Sequence, residues 1–431
     1  MISNTIPSEV SERRHRWQGL TLGLLVVGYS GFYLCRSDLS ACTPAICDEL
    51  KEQGWDYNEA LIRVGDMASL GVLTYAVGKF IGGWSIDRIG GRRGFLGAMF
   101  IAVVCTAAFA RGDSFAVWIP LWLLNRFGQS FGWPGMVRIC SRWFPPTAYG
   151  FAMAALSLSF LFGDAAARWS YGQMFTWGFG WRDVFAASGA ISGLILLINV
   201  FFLHESPRGV ELPEAQDHFQ CGQNDEDVGP NLMDILRQPA FWVACGMCFG
   251  LTIGRETFNT WTATYFRDVI GLTNAEAADA SKGFPLYGGV AVFMAGLFRD
   301  RLGRAGQTAI LVGGSIIAGC IMLRLGTPGL NSWAVPLVNA CGFFLLAPYS
   351  YFSGVIALDF GGKKSGATAS GIIDGVGYLG GMFAGSGMSR LVKHTDWAMA
   401  FSTLATITIA TGLAAILYSR MTRRSRNGPA V

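Results

Sequence analysis

"GWSIDRIGGR", residues 83–92, ends the second long apolar run of the chain, and "GLFRDRLGR", residues 296–304, ends the eighth. Gly83, Asp87, Arg88, Gly90 and Arg92 form the pattern G-x3-D-R-x-G-x-R. Gly296, Asp300, Arg301, Gly303 and Arg304 return nearly the same pattern 213 residues later (296 − 83). A tight turn with an acid at a helix end and arginines beside it suits a charge lock that forms and breaks as helices rock. One copy reads equally as a simple cytoplasmic anchor. Two copies, at matching places in two halves, point to a transporter with repeated halves.

The rest of the chain supports a membrane setting. Only 14% of the 431 residues are charged and 52% are hydrophobic, whereas soluble domains carry about a quarter charged residues. Apolar runs near the length of a bilayer crossing recur at 17–45, 62–86, 95–112, 115–140, 149–175, 183–203, 238–267, 283–299, 308–326, 333–358, 366–391 and 397–418. They predict an all-α integral membrane protein with about twelve spans. The one long polar segment, 204–237, divides residues 1–203 from residues 238–431 as a linker between two six-helix halves.

Arginine and lysine set the orientation. "RRHR" precedes the first span, "DRIGGRR" follows the second, "RDRLGR" follows the eighth, "KK" precedes the eleventh and "RMTRRSR" follows the twelfth. With alternating spans all fall on one side, so both termini are expected in the cytoplasm, in a bacterial inner membrane. The first run shows no small-residue cleavage site and reads as an uncleaved span. The net charge of +4, concentrated in short loops, argues against nucleic acid as a partner. Ten cysteines are scattered, and the Cys245/Cys248 pair lies in an apolar span with no second pair or histidine near it, so buried thiols and no metal are expected. The four histidines lie outside the spans or at their ends. No nucleophile–base constellation appears, which argues against an enzyme and implies no cofactor.

Two cations inside the spans call for explanation. Arg36 lies 20 residues after Arg16 (36 − 16), in the first span, and Arg255 lies 18 after Arg237 (255 − 237), in the seventh. The spans open the two halves, so equivalent helices each carry one arginine at similar depth. Each costs about 2.5–3.5 kcal/mol to insert. Snorkelling to the outer surface is the bland alternative for Arg36, about 28 Å of helix from Trp17. A planar guanidinium forks onto phosphate oxygens, and two of them can clamp one phosphate.

Four stretches carry a family resemblance: "GYSGFYLCR" (28–36), "YAVGKFIGGWSIDR" (75–88), "GQSFGWPGMVRICSRWF" (128–144) and "KKSGATASGIIDGVGYLGG" (363–381). With the repeated loop they resemble the major facilitator superfamily, and within it the organophosphate:phosphate antiporters of glycerol phosphate and hexose phosphates. The resemblance implies exchange of an organophosphate against inorganic phosphate by alternating access, with Arg36 and Arg255 as phosphate ligands. It adds Gln129 and Trp133 as cavity residues, and Trp133–Pro134 reads equally as a helix kink. Lys79 matches the second-helix lysine and reads equally as an ordinary cation near the cytoplasmic end. Tyr29, Tyr33 and Tyr75 stand as hydrogen-bond donors to a polar cavity or as packing. Tyr378 matches the family's Gly-Tyr-Leu-Gly-Gly, with close packing through Gly377, Gly380 and Gly381 as its rival.

Departures from the family bear on the substrate. Ser37 and then Asp38 stand where the relatives have lysine after the first-helix arginine. The bacterial relatives' histidine falls at Phe160, their tryptophan near Leu156, and a glycine at Asp164, followed one turn on by Arg168. Glu256 directly follows Arg255, and Asp374 lies inside span eleven. Asp164 and Arg168, spaced i, i+4, can pair as a self-neutralised structural element. Alternatively Asp164 receives a substrate cation or a proton, or Arg168 binds an anion. The expected function is therefore organophosphate exchange by a monomer in the bilayer. A proton-coupled carrier of another organic anion or of a zwitterionic phosphoester or phosphonate, and a membrane sugar-phosphate sensor, stand as alternatives.

Overall fold

The computed structural model describes residues 8–213, 232–327, 329 and 331–427. Among them the fold is all helical, and each of the twelve apolar runs falls on helix. The first run is carried by α1 (Ser8–Leu34) and α2 (Asp38–Glu52), the second by α3 (Tyr57–Ile89) and the third by α4 (Gly91–Phe109). The fourth is divided between α5 (Phe115–Gln129) and α6 (Gly132–Trp143); α7 (Pro146–Thr176) and α8 (Trp181–Phe202) carry the fifth and sixth. After the short α9 (Leu232–Leu236), α10 (Pro239–Asp268) is the seventh span and α11 (Asn274–Ser281) a connector. The remaining spans are α12 (Gly283–Ala309), α13 (Ser315–Leu325), α14 (Ala334–Tyr349), α15 (Ala357–His394) and α16 (Trp397–Asn427). Among the described residues, eight stretches are long and apolar enough by themselves to cross a membrane.

α8 shows what solvent the sequence is written for. Its Ser188, Ser192 and Asn199 are buried, while Leu194, Leu197 and Phe201 are exposed. Ser192 donates to the Gly31 carbonyl at 2.9 Å and Asn199 to that of Ile195 at 2.9 Å. Polar groups turned inward, with an apolar stripe turned outward, fit hydrocarbon surroundings.

The described residues form two compact units that each gather distant stretches of chain. The first comprises 8–36, Val77–Gly163 and 185–213, and the second 37–76, 164–184 and 232–427. The first is packed around Leu25, Phe32, Phe95, Met136, Ile139, Trp143 and Leu156, all fully buried. In the second, α10 and α15 pack through glycine. A Cβ at Gly377 would lie 2.7 Å from Cys248 Sγ, and one at Gly380 2.6 Å from the Phe249 carbonyl.

Two spans are interrupted within the first unit's part of the chain. At Cys35 and Arg36 the N–H groups bond to Phe32 and Tyr33, three residues back, at 3.1 and 3.2 Å. Ser130 and Phe131 do the same to Phe127 and Gly128 at 3.2 Å each. Such tightened turns end one helix before the next begins. Pro134, in the first turn of α6, needs no N–H there. The first span is thus two helices, with Arg36 in the joint.

Candidate functional site

In the first unit, the joint places Arg36 beside the end of α5. Its Nε donates to Gln129 Oε1 at 2.9 Å and its Nη1 to Tyr33 Oη at 3.2 Å, and the guanidinium carbon lies 4.8 Å from the Tyr33 ring centroid. Gln129 in turn donates to the Cys35 carbonyl at 2.9 Å and to Asn125 Oδ1. One glutamine therefore holds both the arginine and the backbone of the joint that presents it. Tyr29 meets Tyr33 and Trp133 at 5.8 and 5.7 Å between centroids, and Phe160 stacks on Tyr33 at 6.2 Å. The structure brings Arg36, Gln129, Tyr33, Tyr29 and Trp133 together in one aromatic-walled cluster. Lys79 lies half-buried on α3 in the same unit.

The second unit repeats the device. Arg255, in the middle of α10, donates from Nη1 to Tyr349 Oη and lies 4.6 Å from that ring's centroid. Tyr349 follows Arg255 by 94 residues and Gln129 follows Arg36 by 93. In each case a half-buried arginine is braced from the end of a later helix of its own unit, α5 or α14. Sequence reasoning missed Tyr349; laying one half's numbering on the other would have found it. A ring and a hydroxyl acting on one guanidinium combine cation–π attraction with a hydrogen bond.

Around Arg255 the second unit differs from the first. Glu256 Oε1 lies 3.0 Å from Arg255 Nη2, with the two side chains 10% and 14% exposed. Its Cγ is 3.0 Å from where a Cβ would stand on Gly381, so a residue without a side chain leaves room for it. Asp374, Tyr378 and Cys248 act electrostatically on Tyr349 together with Arg255. Tyr75 and Tyr378, both buried, meet at 5.4 Å between centroids, and Trp261 donates to the Ala384 carbonyl at 2.7 Å. Tyr378 and the bare glycine face of α15 thus occur together; neither reading of that stretch displaces the other.

Asp164 and Arg168 form a third cluster, also within the second unit. Arg168 Nε meets Asp164 Oδ1 at 3.0 Å, and Ser37 donates to the same oxygen. Arg168 Nη1 reaches Ser40 Oγ at 3.2 Å and Ser281 Oγ at 3.3 Å, and Nη2 reaches the Asn259 carbonyl at 2.8 Å. Every edge of the guanidinium is engaged, by α2, α7, α10 and α11. Both side chains are buried, Arg168 at 2% and Asp164 at 8% exposure. Such an arrangement satisfies a buried charge pair and ties four helices.

The repeated loops are held by acids that sequence reasoning did not single out. Gly90, at φ +94°, opens α4 in a conformation that favours glycine. Glu205, just beyond α8, accepts from the Gly91 N–H at 3.0 Å and the Arg92 N–H at 2.5 Å. Arg138 stands 3.4 Å and Arg142 3.9 Å from the same carboxylate. Arg92 donates back to the Leu203 and Val200 carbonyls at 2.5 and 2.6 Å. A carboxylate thus fills the anion-attracting start of α4 while the loop arginine holds the end of α8. In the second loop Gly303 has φ +57°, and Arg304 pairs with Asp359 at 3.2 Å. Arg88 and Arg301 are exposed. Gly83 lies within α3, and the surroundings of Gly83 and the side chains of Asp87 and Asp300 are outside what is described.

Comparison with known proteins agrees with this architecture. The "Membrane sensor protein UhpC" of Salmonella typhimurium is 26% identical over 427 residues, covering 95% of this chain and 92% of that protein. The "Glucose-6-phosphate exchanger SLC37A2" of Homo sapiens is 25% identical over 482 residues, covering 95% and 93%. Among solved structures, a bacterial homologue of the human lysosomal transporter Spinster, inward-facing and unoccupied, superposes with a TM-score of 0.69 at 19% identity, over 96% of this chain and 99% of that one. The resemblance to the organophosphate:phosphate antiporters read from four stretches is borne out by such relatives, as is the reading of a multi-pass transport protein and not an enzyme. The Major Facilitator Superfamily profile matches residues 37–385, and the chain belongs to that superfamily.

Proposed function

We propose that this protein carries phosphate esters of the sugar-phosphate or glycerol-phosphate class, exchanging them for inorganic phosphate by alternating access. Arg36 and Arg255 are the phosphate ligands, with Lys79 as a third cation. Tyr29, Tyr33, Tyr75, Gln129, Trp133 and Tyr378 supply the polar and aromatic walls. The loop residues Gly83, Asp87, Arg88, Arg92, Asp300 and Arg301 act on the rocking step of the halves 1–203 and 238–431. The setting is a bacterial inner membrane with cytoplasmic termini, and the working unit is a monomer. One observation carries the reading: two half-buried arginines, each braced by a tyrosine ring and hydroxyl, recur on the first spans of the two halves. A brace of this kind fixes the direction of a guanidinium that must meet phosphate oxygens in a fork.

Thermal-shift measurement of the purified protein against phosphate, phosphomonoesters, phosphonates and non-phosphorylated carboxylates tests it. Stabilisation by phosphate and phosphomonoesters alone is expected; equal stabilisation by plain carboxylates refutes the ligand class. A second reading, a membrane sensor, is favoured by the relative of that name. It predicts the same binding with no flux of phosphate into proteoliposomes.

A further inference from the structure

Obligatory exchange requires that the unloaded carrier be unable to reorient. A guanidinium withdrawn from solvent and left without a counter-charge supplies such a block, because stranding one member of a buried pair is strongly unfavourable. In this protein Arg255 carries its own counter-charge on the next residue. Glu256 lies 3.0 Å away, and both side chains are nearly withdrawn from solvent, so the pair is little screened. Tyr349 holds the other end of the guanidinium through its hydroxyl and ring. The position of Glu256 is built in: its Cγ rests over Gly381, where any side chain would crowd it.

We infer that Glu256 is an internal stand-in for the substrate anion, and that it lets the protein reorient empty, so that it catalyses net movement of phosphate as well as exchange. The inference rests on the proposed role of Arg255 as a phosphate ligand. When the bound anion leaves, Arg255 returns to Glu256 and no charge is stranded at this position. When an anion arrives, it shares Arg255 with a carboxylate. The same residue that permits empty return therefore also weakens anion affinity. Both consequences follow from one contact, and they can be measured separately.

The test uses the full-length protein in proteoliposomes with potassium and valinomycin clamping the membrane potential and equal pH on both sides. Entry of radiolabelled inorganic phosphate is compared between vesicles preloaded with unlabelled phosphate and vesicles without it. In the parent the ratio of net entry to exchange is expected within threefold of one. In Glu256→Gln the ratio falls tenfold or more, and Glu256→Asp restores it. In detergent, Glu256→Gln binds phosphate at least fivefold more tightly than the parent. A parent that exchanges phosphate but shows less than a tenth of that rate as net entry overturns the inference, whether or not the variants fold, and leaves the proposed function standing. An unchanged ratio in folded Glu256→Gln also overturns it. Absence of phosphate binding in the parent removes the proposed function, and the inference with it.

Discussion

Arg168 donates from Nη2 to the backbone carbonyl of Asn259, 2.8 Å away and 91 residues further along the chain. With Asp164, Ser40 and Ser281 this engages every side of the guanidinium. Asp164→Ala leaves that cation buried and is expected to cost about 3–5 kcal/mol of stability. The double variant Asp164→Ala/Arg168→Gln removes the charge with its partner and is expected to be milder by at least about 2 kcal/mol. Thermal denaturation in detergent checks this. A double variant as unstable as the single one would show that Arg168 does more than answer Asp164.

Arg36→Lys keeps the charge and loses the fork shared between Gln129 and Tyr33. Arg255→Lys does the same at Tyr349. Hydrogen bonds of charged groups are worth about 1.5–3 kcal/mol, so each variant is expected to lower phosphate exchange by roughly 10–100-fold while folding normally. Near-parent exchange in either lysine variant would remove that arginine from the proposed site.

Tyr349→Phe keeps the ring over Arg255 and removes the hydroxyl. Because the ring still holds the guanidinium, the loss is expected to weaken phosphate binding by only about threefold to tenfold, with a cost in thermal stability of no more than about 3 kcal/mol. Titration by thermal shift reads both quantities, and an unaltered affinity would show that the hydroxyl does not position Arg255.

Glu205→Gln removes the charge at the start of α4 and the attraction of Arg138 and Arg142, while leaving an oxygen for the Gly91 N–H. Because this carboxylate lies at a loop and touches none of the proposed ligands, the expected effect is a slower exchange rate, by about fivefold, with phosphate affinity within twofold of the parent. A large loss of affinity at unchanged maximal rate would contradict this assignment.

Burial, with the nearby Arg92 guanidinium, holds the His204 imidazole below its ordinary value. The folded protein therefore takes up its proton at lower pH than the unfolded chain does, near 6.5. The stability this contributes is fully present above about pH 6.5 and is lost as pH falls through the folded value. His204→Gln is expected to flatten that part of the pH–stability curve, read as melting temperature between about pH 7.5 and 5.

The all-helical membrane fold and the paired loops were legible because hydrophobic length and basic loops are local properties of the chain. Arg36 and Arg255 stood out for the same reason, as cations in apolar runs. Of their braces, Gln129 came from the family resemblance and Tyr33 was named as a donor, but Tyr349 was not named at all. Tyr349, in "APYSY", reads as span-end packing until its distance from Arg255 is set beside that of Gln129 from Arg36. The i, i+4 spacing of Asp164 and Arg168 announced a pair, but Ser40, Ser281 and the Asn259 carbonyl come from remote stretches that no local pattern encodes. Glu205 was hidden differently: it belongs by composition to a polar linker, while its carboxylate closes the N-terminus of α4.

Gly381 has no charge and no hydrogen-bonding side chain. It nevertheless governs where a neighbouring carboxylate can stand, since the Glu256 Cγ lies within 3.0 Å of the position its missing Cβ would take. A single methyl group there would act as a wedge, shifting the acid relative to its arginine and so retuning the anion chemistry of α10 from the adjacent helix. Electrostatics at this position is thus set by steric vacancy, and a substitution as mild as Gly381→Ala should be read out in anion affinity before it is read out in fold stability.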